Sequence, residues 1–415
     1  MKWLGKFPDS FFAEIAGQPD ALRRAARALT EQLDTIEAVR DAGRRTGGGV
    51  VFTGMGASYD ACYPAVNELA VHGVLALQID TAELLHFRTH VLSAATVLVI
   101  VSQSGRSAEV VRLLDAFEDR AERPVVLSVT NGLANPLAER ADLRLDTRAG
   151  TEQGPSTMTF AASLVQLAAV GGALTGRSDV DPVGRARTAA REASDAVETV
   201  LDDENLAARI ADVADRDTLV LLARGPARAA AEMGALTLKE CGVTAESYET
   251  AAFRHGPFEL AGPALGAIVV ATEPETLALD LGLAADLVET GASAVVLSSR
   301  GDVPDGALGV RIPSVDRLLS SAVSIVPIQL LAWRLANARG RVPGAYTRAS
   351  KVTTREGRST GRADVRRGAS GSAIRRAGQR RAHPGCARTI TGSGDVLRAG
   401  PVGHGKPEPR PADRR

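Results

Sequence analysis

Short apolar runs alternate with stretches of helical periodicity along the first half of the chain. Segments 50–53, 75–79, 96–101, 125–129 and 143–146 read as strands with helices between them. Runs this short and this uniformly apolar predict strands buried on both faces, as in a parallel sheet covered by helices. Segment 22–42 reads as a polar-faced helix ahead of the first strand. Segment 159–174 reads as a long apolar helix closing the first unit, and 176–209 as a charged, alanine-rich helical connector. The pattern then restarts. Segments 218–222, 267–272, 294–298 and 310–312 read as strands, separated by helices at 227–240, 275–290 and 318–339. The same element order in both halves predicts an internally duplicated α/β protein.

The periodicity ends after Glu356. From Gly357 to Arg415 the chain holds 14 Lys+Arg against 4 Asp+Glu, a net of +10, while the whole chain is balanced at 49 and 49; the body therefore carries about −10. Arg, Gly, Ala, Ser and Pro dominate this tail, and such a composition cannot bury enough apolar surface to offset its ordering entropy. Disorder is expected there, and the composition also resembles GC-rich coding sequence read out of frame or past a lost stop codon. The expected organisation is an N-terminal helical arm (1–46), a first α/β domain (47–176), a helical connector (177–209), a second α/β domain (210–340), a short strap (341–356) and the tail (357–415).

At 415 residues the chain is long enough for two ordinary cores. The opening segment lacks a signal-peptide apolar core and no later run reaches a bilayer span, so a soluble cytoplasmic protein is expected. An acidic body disfavours nucleic acid as partner of the folded domains. Cys62, Cys241 and Cys386 share no metal-ligand spacing, and the first two read as small buried hydrophobes.

Two turns carry the candidate chemistry. The strand at 96–101 runs into Ser102-Gln103-Ser104-Gly105-Arg106-Ser107, a cluster of hydroxyl residues that opens a helix. Backbone N–H groups of a first helical turn, the positive end of the helix dipole, and Ser102, Ser104 and Ser107 as neutral donors would together hold a dianion without a lysine. The strand at 50–53 similarly enters Gly54-Met55-Gly56-Ala57-Ser58. Two such turns at the carboxyl ends of neighbouring parallel strands converge on one crevice. Each alone also suits a plain helix cap.

With these, the ordered set Ala149-Gly150-Thr151-Glu152-Gln153-Gly154-Pro155-Ser156-Thr157, Thr237-Leu238-Lys239-Glu240, Arg254-His255-Gly256-Pro257 and Ser350-Lys351-Val352-Thr353 resembles the tandem sugar-isomerase (SIS) domain family. The likeness is to the isomerase half of glucosamine-6-phosphate synthase and to stand-alone amino-sugar-phosphate deaminases and deglycases. It implies two doubly wound, flavodoxin-like parallel-sheet domains, and a sugar-phosphate enzyme needing no metal or organic cofactor. Gly56, Ala57, Ser58, Ser102, Gln103, Ser104 and Ser107 would bind substrate, covered from the other side by Glu152, Ser156 and Thr157.

Interconverting an aldose and a ketose phosphate requires ring opening and a proton moved between C1 and C2. The resemblance implies Glu240 for that proton, His255 for ring opening, and Lys351 over the sugar as a Schiff-base former. His255 would come from the neighbouring subunit of a homodimer. A carboxylate at the end of the helix 227–240 meets the unfavourable dipole end, which should raise its pKa.

Thr237 and Met158 stand where the synthase pattern expects lysines, and the segment from Glu240 to His255 is one residue shorter. The expected function is accordingly glucosamine-6-phosphate deaminase-like, interconverting an amino-sugar or fructosamine phosphate with fructose 6-phosphate. The alternatives are isomerising synthesis with a separate ammonia source, and a non-catalytic sugar-phosphate-binding SIS regulator.

Overall fold

Ten strands form two five-stranded parallel sheets in the computed structural model, which describes residues 10–47, 49–118, 120–343, 346 and 350–355. The first sheet contains β1 (Val50–Thr53), β2 (Ala76–Gln78), β3 (Val97–Val101), β4 (Val125–Thr130) and β5 (Leu143–Asp146), in spatial order β2-β1-β3-β4-β5. The second contains β6 (Thr218–Ala223), β7 (Ala245–Glu249), β8 (Leu265–Ala271), β9 (Ser293–Ser298) and β10 (Leu308–Arg311), in order β10-β9-β8-β6-β7. Read from β7, the second sheet repeats the order of the first, so the two halves share one doubly wound topology. The duplication seen in the sequence is a duplication of fold.

Burial on both faces is visible residue by residue in β3. Val97, Val99 and Val101 face a central core, while Leu98 and Ile100 face a separate outer cluster with Leu84, Val110 and Leu113. Each fully buried Val, Leu or Ile contributes about 1.5–3 kcal/mol relative to exposure, which is why such runs hold the middle of a sheet. The central core continues through the apolar helix Met158–Leu174 and the helix Ser320–Ala338 to the inner face of the second sheet. The described residues accordingly fall in one compact unit.

The N-terminal segment differs from expectation. It is three helices, Ser10–Ala16, Gln18–Thr30 and Leu33–Thr46, and it is built into the core: Phe11, Ile15, Leu22, Ala25 and Leu29 are fully buried. Small alanines among arginines read as a polar helix, yet one alanine-lined face packs against Met158–Leu174 and Pro182–Leu201. Gln32, between the second and third helices, accepts from the Asp146 backbone N–H at 2.7 Å and donates to the Asp146 carbonyl at 3.2 Å, fixing edge strand β5. The connector likewise divides into Pro182–Leu201 and Leu206–Ala214.

β7 has no counterpart in the sequence reading, because it is an edge strand whose residues after Ala245 are partly or largely exposed. Cys62 and Cys241 are buried, and neither forms a disulfide among the described residues. The disorder expected for 357–415, and Cys386 within it, lie outside the described residues. Among the described residues no helix is long and apolar enough to cross a membrane.

Candidate active site

β1 and β3 are hydrogen-bonded neighbours whose chains leave the sheet on opposite sides, which makes their carboxyl ends the switch point of the first half. Both serine turns emerge there. Gly54 admits the close return of the first turn, since a Cβ on it would lie 2.8 Å from the Ser58 carbonyl carbon. Gly105 has φ +63°, and a Cβ there would lie 1.8 Å from Asn135 Oδ1. Glycine is therefore required at the tip of the second turn.

A cavity of about 1100 Å³ opens over these turns. Gly56, Ala57, Ser58, Ser102, Gln103, Ser104 and Ser107 line one wall, and Ser156 lies beside them. Ser102 Oγ accepts from the Gly105 N–H at 3.2 Å and Ser104 Oγ accepts from the Arg106 N–H at 3.2 Å. Acceptance leaves each hydroxyl proton available to a ligand. Ser107 sits at the start of the helix Ala108–Asp115 and makes no capping hydrogen bond with its side chain, so its hydroxyl also remains open to the cavity.

The opposite wall comes from the second half and the strap. Glu240 is the last residue of the helix Arg228–Glu240, and Lys351 lies on the strap after the final helix; both line the same cavity. The strap is pinned to the cradle helix, where Ala108 donates its backbone N–H to the Thr353 carbonyl at 3.0 Å.

Glu240 has open surface toward the cavity, while protein closes around it on the remaining sides. Burial raises its pKa to about 7, against a lowering by the Lys351 ammonium; Glu152 raises it further and a hydrogen bond with Tyr346 lowers it. Desolvation rather than the helix dipole is thus the leading cause. A carboxyl poised near neutrality suits a general base.

Glu152 and Thr157 occupy a different place from the substrate contacts expected of them. The Glu152 side chain has no exposed surface. It accepts from the Thr157 N–H at 2.8 Å, the Thr157 hydroxyl at 3.0 Å, the Thr159 N–H at 3.1 Å and the Thr159 hydroxyl at 2.6 Å. It thereby closes the first turn of Met158–Leu174, and neither residue lines the cavity. Lys351 completes this arrangement, its Nζ donating to Glu152 Oε2 at 3.0 Å and to the Gly154 carbonyl at 2.8 Å.

Two supporting residues had no signal in the sequence. Glu14, on the first helix, accepts from the Gln153 N–H at 2.5 Å and the Gly154 N–H at 3.0 Å and so holds the turn that receives Lys351. Tyr346, which lines the cavity and hydrogen-bonds Glu240, stands alone in a stretch without periodicity.

His255 lies elsewhere. It follows the helix Thr250–Arg254, is exposed, and does not line the cavity. Thr237 and Met158, where lysines were expected, are buried and also off the cavity; the Thr237 hydroxyl donates to the Met233 carbonyl at 3.0 Å. Among the described residues no group of three His, Cys, Asp or Glu side chains is placed to hold a metal ion.

Comparison with known proteins adds to this geometry. The SIS domain family matches residues 48–173. Glutamine–fructose-6-phosphate aminotransferase (isomerizing) of Clostridium perfringens is 26% identical over 354 residues, covering 81% of this chain and 57% of that protein. The chain thus spans less than two thirds of the length of the curated relatives it matches. Among solved structures, the C-terminal domain of glucosamine-fructose-6-phosphate aminotransferase from Francisella tularensis superposes with a TM-score of 0.72 at 22% identity, over 81% of this chain and 98% of that one. Glucosamine-6-phosphate deaminase from Thermotoga maritima gives 0.65 at 20% identity, over 83% and 99%. These two likenesses establish the fold.

Proposed function

This chain carries an SIS domain, and from that premise we propose an enzyme acting on an amino-sugar or fructosamine phosphate. In the manner of a glucosamine-6-phosphate deaminase it interconverts a 2-amino sugar phosphate and water with fructose 6-phosphate and ammonia, whereas a fructosamine, with its nitrogen on C1, gives the aldose phosphate and the amine. The observation that carries the reading is a single cavity shared by a serine cradle from the first half, Glu240 from the second and Lys351 from the strap.

In this scheme the cradle binds the 6-phosphate through Ser58, Ser102, Ser104 and Ser107 with help from Gln103. That leaves C1 and C2 of the opened sugar toward Glu240. The Glu240 carboxylate removes the proton from one of these carbons and returns it to the other, passing through an enediol or enolamine; from a 2-amino sugar this leaves an imine at C2, which adds water and expels ammonia to give the ketose. Lys351 moves from Glu152 to the ketose carbonyl and gives its ammonium proton to water in the cavity; the neutral amine condenses there to a C=N bond and releases the carbonyl oxygen as water. His255, exposed and remote from the cavity of its own chain, serves ring opening in a second copy, so the working form is a homodimer.

The relatives' name supports a second reading, in which the same groups run toward amino-sugar synthesis with ammonia supplied by a separate amidotransferase. The test is incubation of purified protein with a panel of hexosamine 6-phosphates, assaying ammonia and ketose phosphate together. Stoichiometric release of both supports deamination. Consumption of fructose 6-phosphate only when ammonia is present supports synthesis. Binding with no conversion in either direction overturns the enzyme reading.

A further inference from the structure

The cavity is larger than its proposed reaction requires. At about 1100 Å³ it lies at the upper end of pockets that enclose drug-sized ligands, and a hexose monophosphate fills only part of it. Among the lining residues the mechanism leaves unused, Leu236, Lys239, Gly242, Arg341 and Val342 come from the second half and its following segment, while the acidic Glu109 comes from the cradle helix.

The charges on that wall are positive. Lys239 pairs with Glu246 at 3.3 Å, but both are about half exposed, so the pair is weak and its ammonium remains open to competition. The Arg341 guanidinium has no ion pair or side-chain hydrogen bond among the described residues, although the backbone is anchored by its N–H to the Ala336 carbonyl at 2.9 Å. Arg341 is exposed, and its side chain rests against Gly242. It lies over Gly242, where a Cβ would come within 2.0 Å of Nη1, so glycine at 242, with φ +77°, leaves the space the guanidinium occupies.

Gly242 is two residues beyond Glu240. In the proposed reaction Glu240 works at C1 and C2, the end of the sugar remote from the 6-phosphate. A substituent on C1 therefore points toward the wall that begins at Gly242. A planar, permanently charged fork placed there matches a carboxylate or phosphate.

Resting on the sugar-phosphate reading above, we propose that the substrate carries a second anionic group, a carboxylate or a further phosphate, at its C1 end, and that Arg341 receives it with Lys239 alongside.

Calorimetric titration of the intact protein carrying Glu240→Gln, to prevent turnover, tests this with three ligands: fructose 6-phosphate, fructose 1,6-bisphosphate, and the 6-phosphate of the fructose–glycine Amadori conjugate. One of the doubly anionic ligands should bind at least tenfold tighter than fructose 6-phosphate. Which one does so identifies the group as phosphate or carboxylate. Adding Arg341→Gln should reduce that advantage to within about twofold. Equal affinity for all three ligands, or an advantage that survives Arg341→Gln, overturns the proposal. Failure of fructose 6-phosphate and both other ligands to bind at all would instead overturn the sugar-phosphate reading beneath it.

Discussion

Lys351 Nζ lies 3.0 Å from Glu152 Oε2, joining the C-terminal strap to the turn that opens the helix Met158–Leu174. The Glu152 side chain is fully buried and the Lys351 side chain is 19% exposed, so this contact belongs to the interior rather than to a solvated surface. Lys351 also lines the cavity with Glu240 and lowers its pKa through its charge. One residue thus serves the closed strap in the resting protein and, in the proposed mechanism, the sugar carbonyl.

Lys351→Ala should therefore affect two quantities. Glu152 keeps its four other donors, so the variant folds, but loss of a charge-assisted hydrogen bond within the interior should lower stability by about 1–3 kcal/mol. Turnover should fall by at least about 100-fold if the amine forms a Schiff base. Thermal melts beside steady-state rates check both, and a fully active variant would remove Lys351 from the chemistry.

Glu240→Gln should retain substrate binding and lose about 10²–10⁴-fold in rate, because the amide preserves shape but is no base. The raised pKa of Glu240, about 7, adds a pH signature. Activity should decline as pH falls through 7, as the base becomes protonated. Stability should move the other way. Between its ordinary value of 4.5 and about 7 the folded protein holds a proton that the unfolded chain has released, so this carboxyl makes folding less favourable as pH rises through that window. Glu240→Gln should consequently raise the thermal midpoint at pH 8 relative to the parent, with the difference vanishing below pH 4.5.

The sequence made the strands and the candidate site residues visible unevenly. β1, β3 and β4 were legible because contiguous valines, leucines and isoleucines bury on both faces, and the serine turns followed directly from where those strands stop. β7 was not, since Glu246, Ser247, Tyr248 and Glu249 on an edge strand carry no apolar run. Thr157 looked like a donor to ligand because its hydroxyl follows Ser156, yet at the N-cap of Met158–Leu174 its non-helical backbone turns the hydroxyl inward to Glu152. The environment of Glu240 was legible in direction alone: helix position suggested a raised pKa, but the cause is burial by segments distant in sequence, including Tyr346 and the strap.

Ser102→Ala with Ser104→Ala should weaken hexose 6-phosphate binding while leaving the fold intact. Each lost hydrogen bond to a charged group is worth about 1.5–3 kcal/mol, so affinity should drop at least about tenfold. Titration calorimetry checks this, and unchanged affinity would displace the cradle.

Gly105→Ala should be worse than either serine change for stability. The left-handed backbone costs an alanine about 1–2 kcal/mol, and its Cβ meets Asn135, which caps the helix Pro136–Arg140 by accepting from the Ala138 N–H at 2.9 Å. A lowered thermal midpoint together with lost phosphate affinity is expected.

The proposed sharing of His255 between subunits can be tested by subunit mixing. Glu240→Gln and His255→Asn proteins should each be nearly inactive. If each active centre joins Glu240 of one copy to His255 of another, random re-pairing of the two variants should restore about a quarter of parental activity. No recovery after verified exchange would place His255 outside the reaction.

The central claim is that this cavity moves a proton between C1 and C2 of a sugar phosphate through Glu240. The most direct measurement is proton NMR of fructose 6-phosphate and glucosamine 6-phosphate incubated in D₂O with the parent protein and with Glu240→Gln. The account predicts deuterium entering at C1 or C2 with the parent protein and no incorporation above background with Glu240→Gln. Incorporation at the parental rate in the variant, or none with the parent on either sugar, would contradict it.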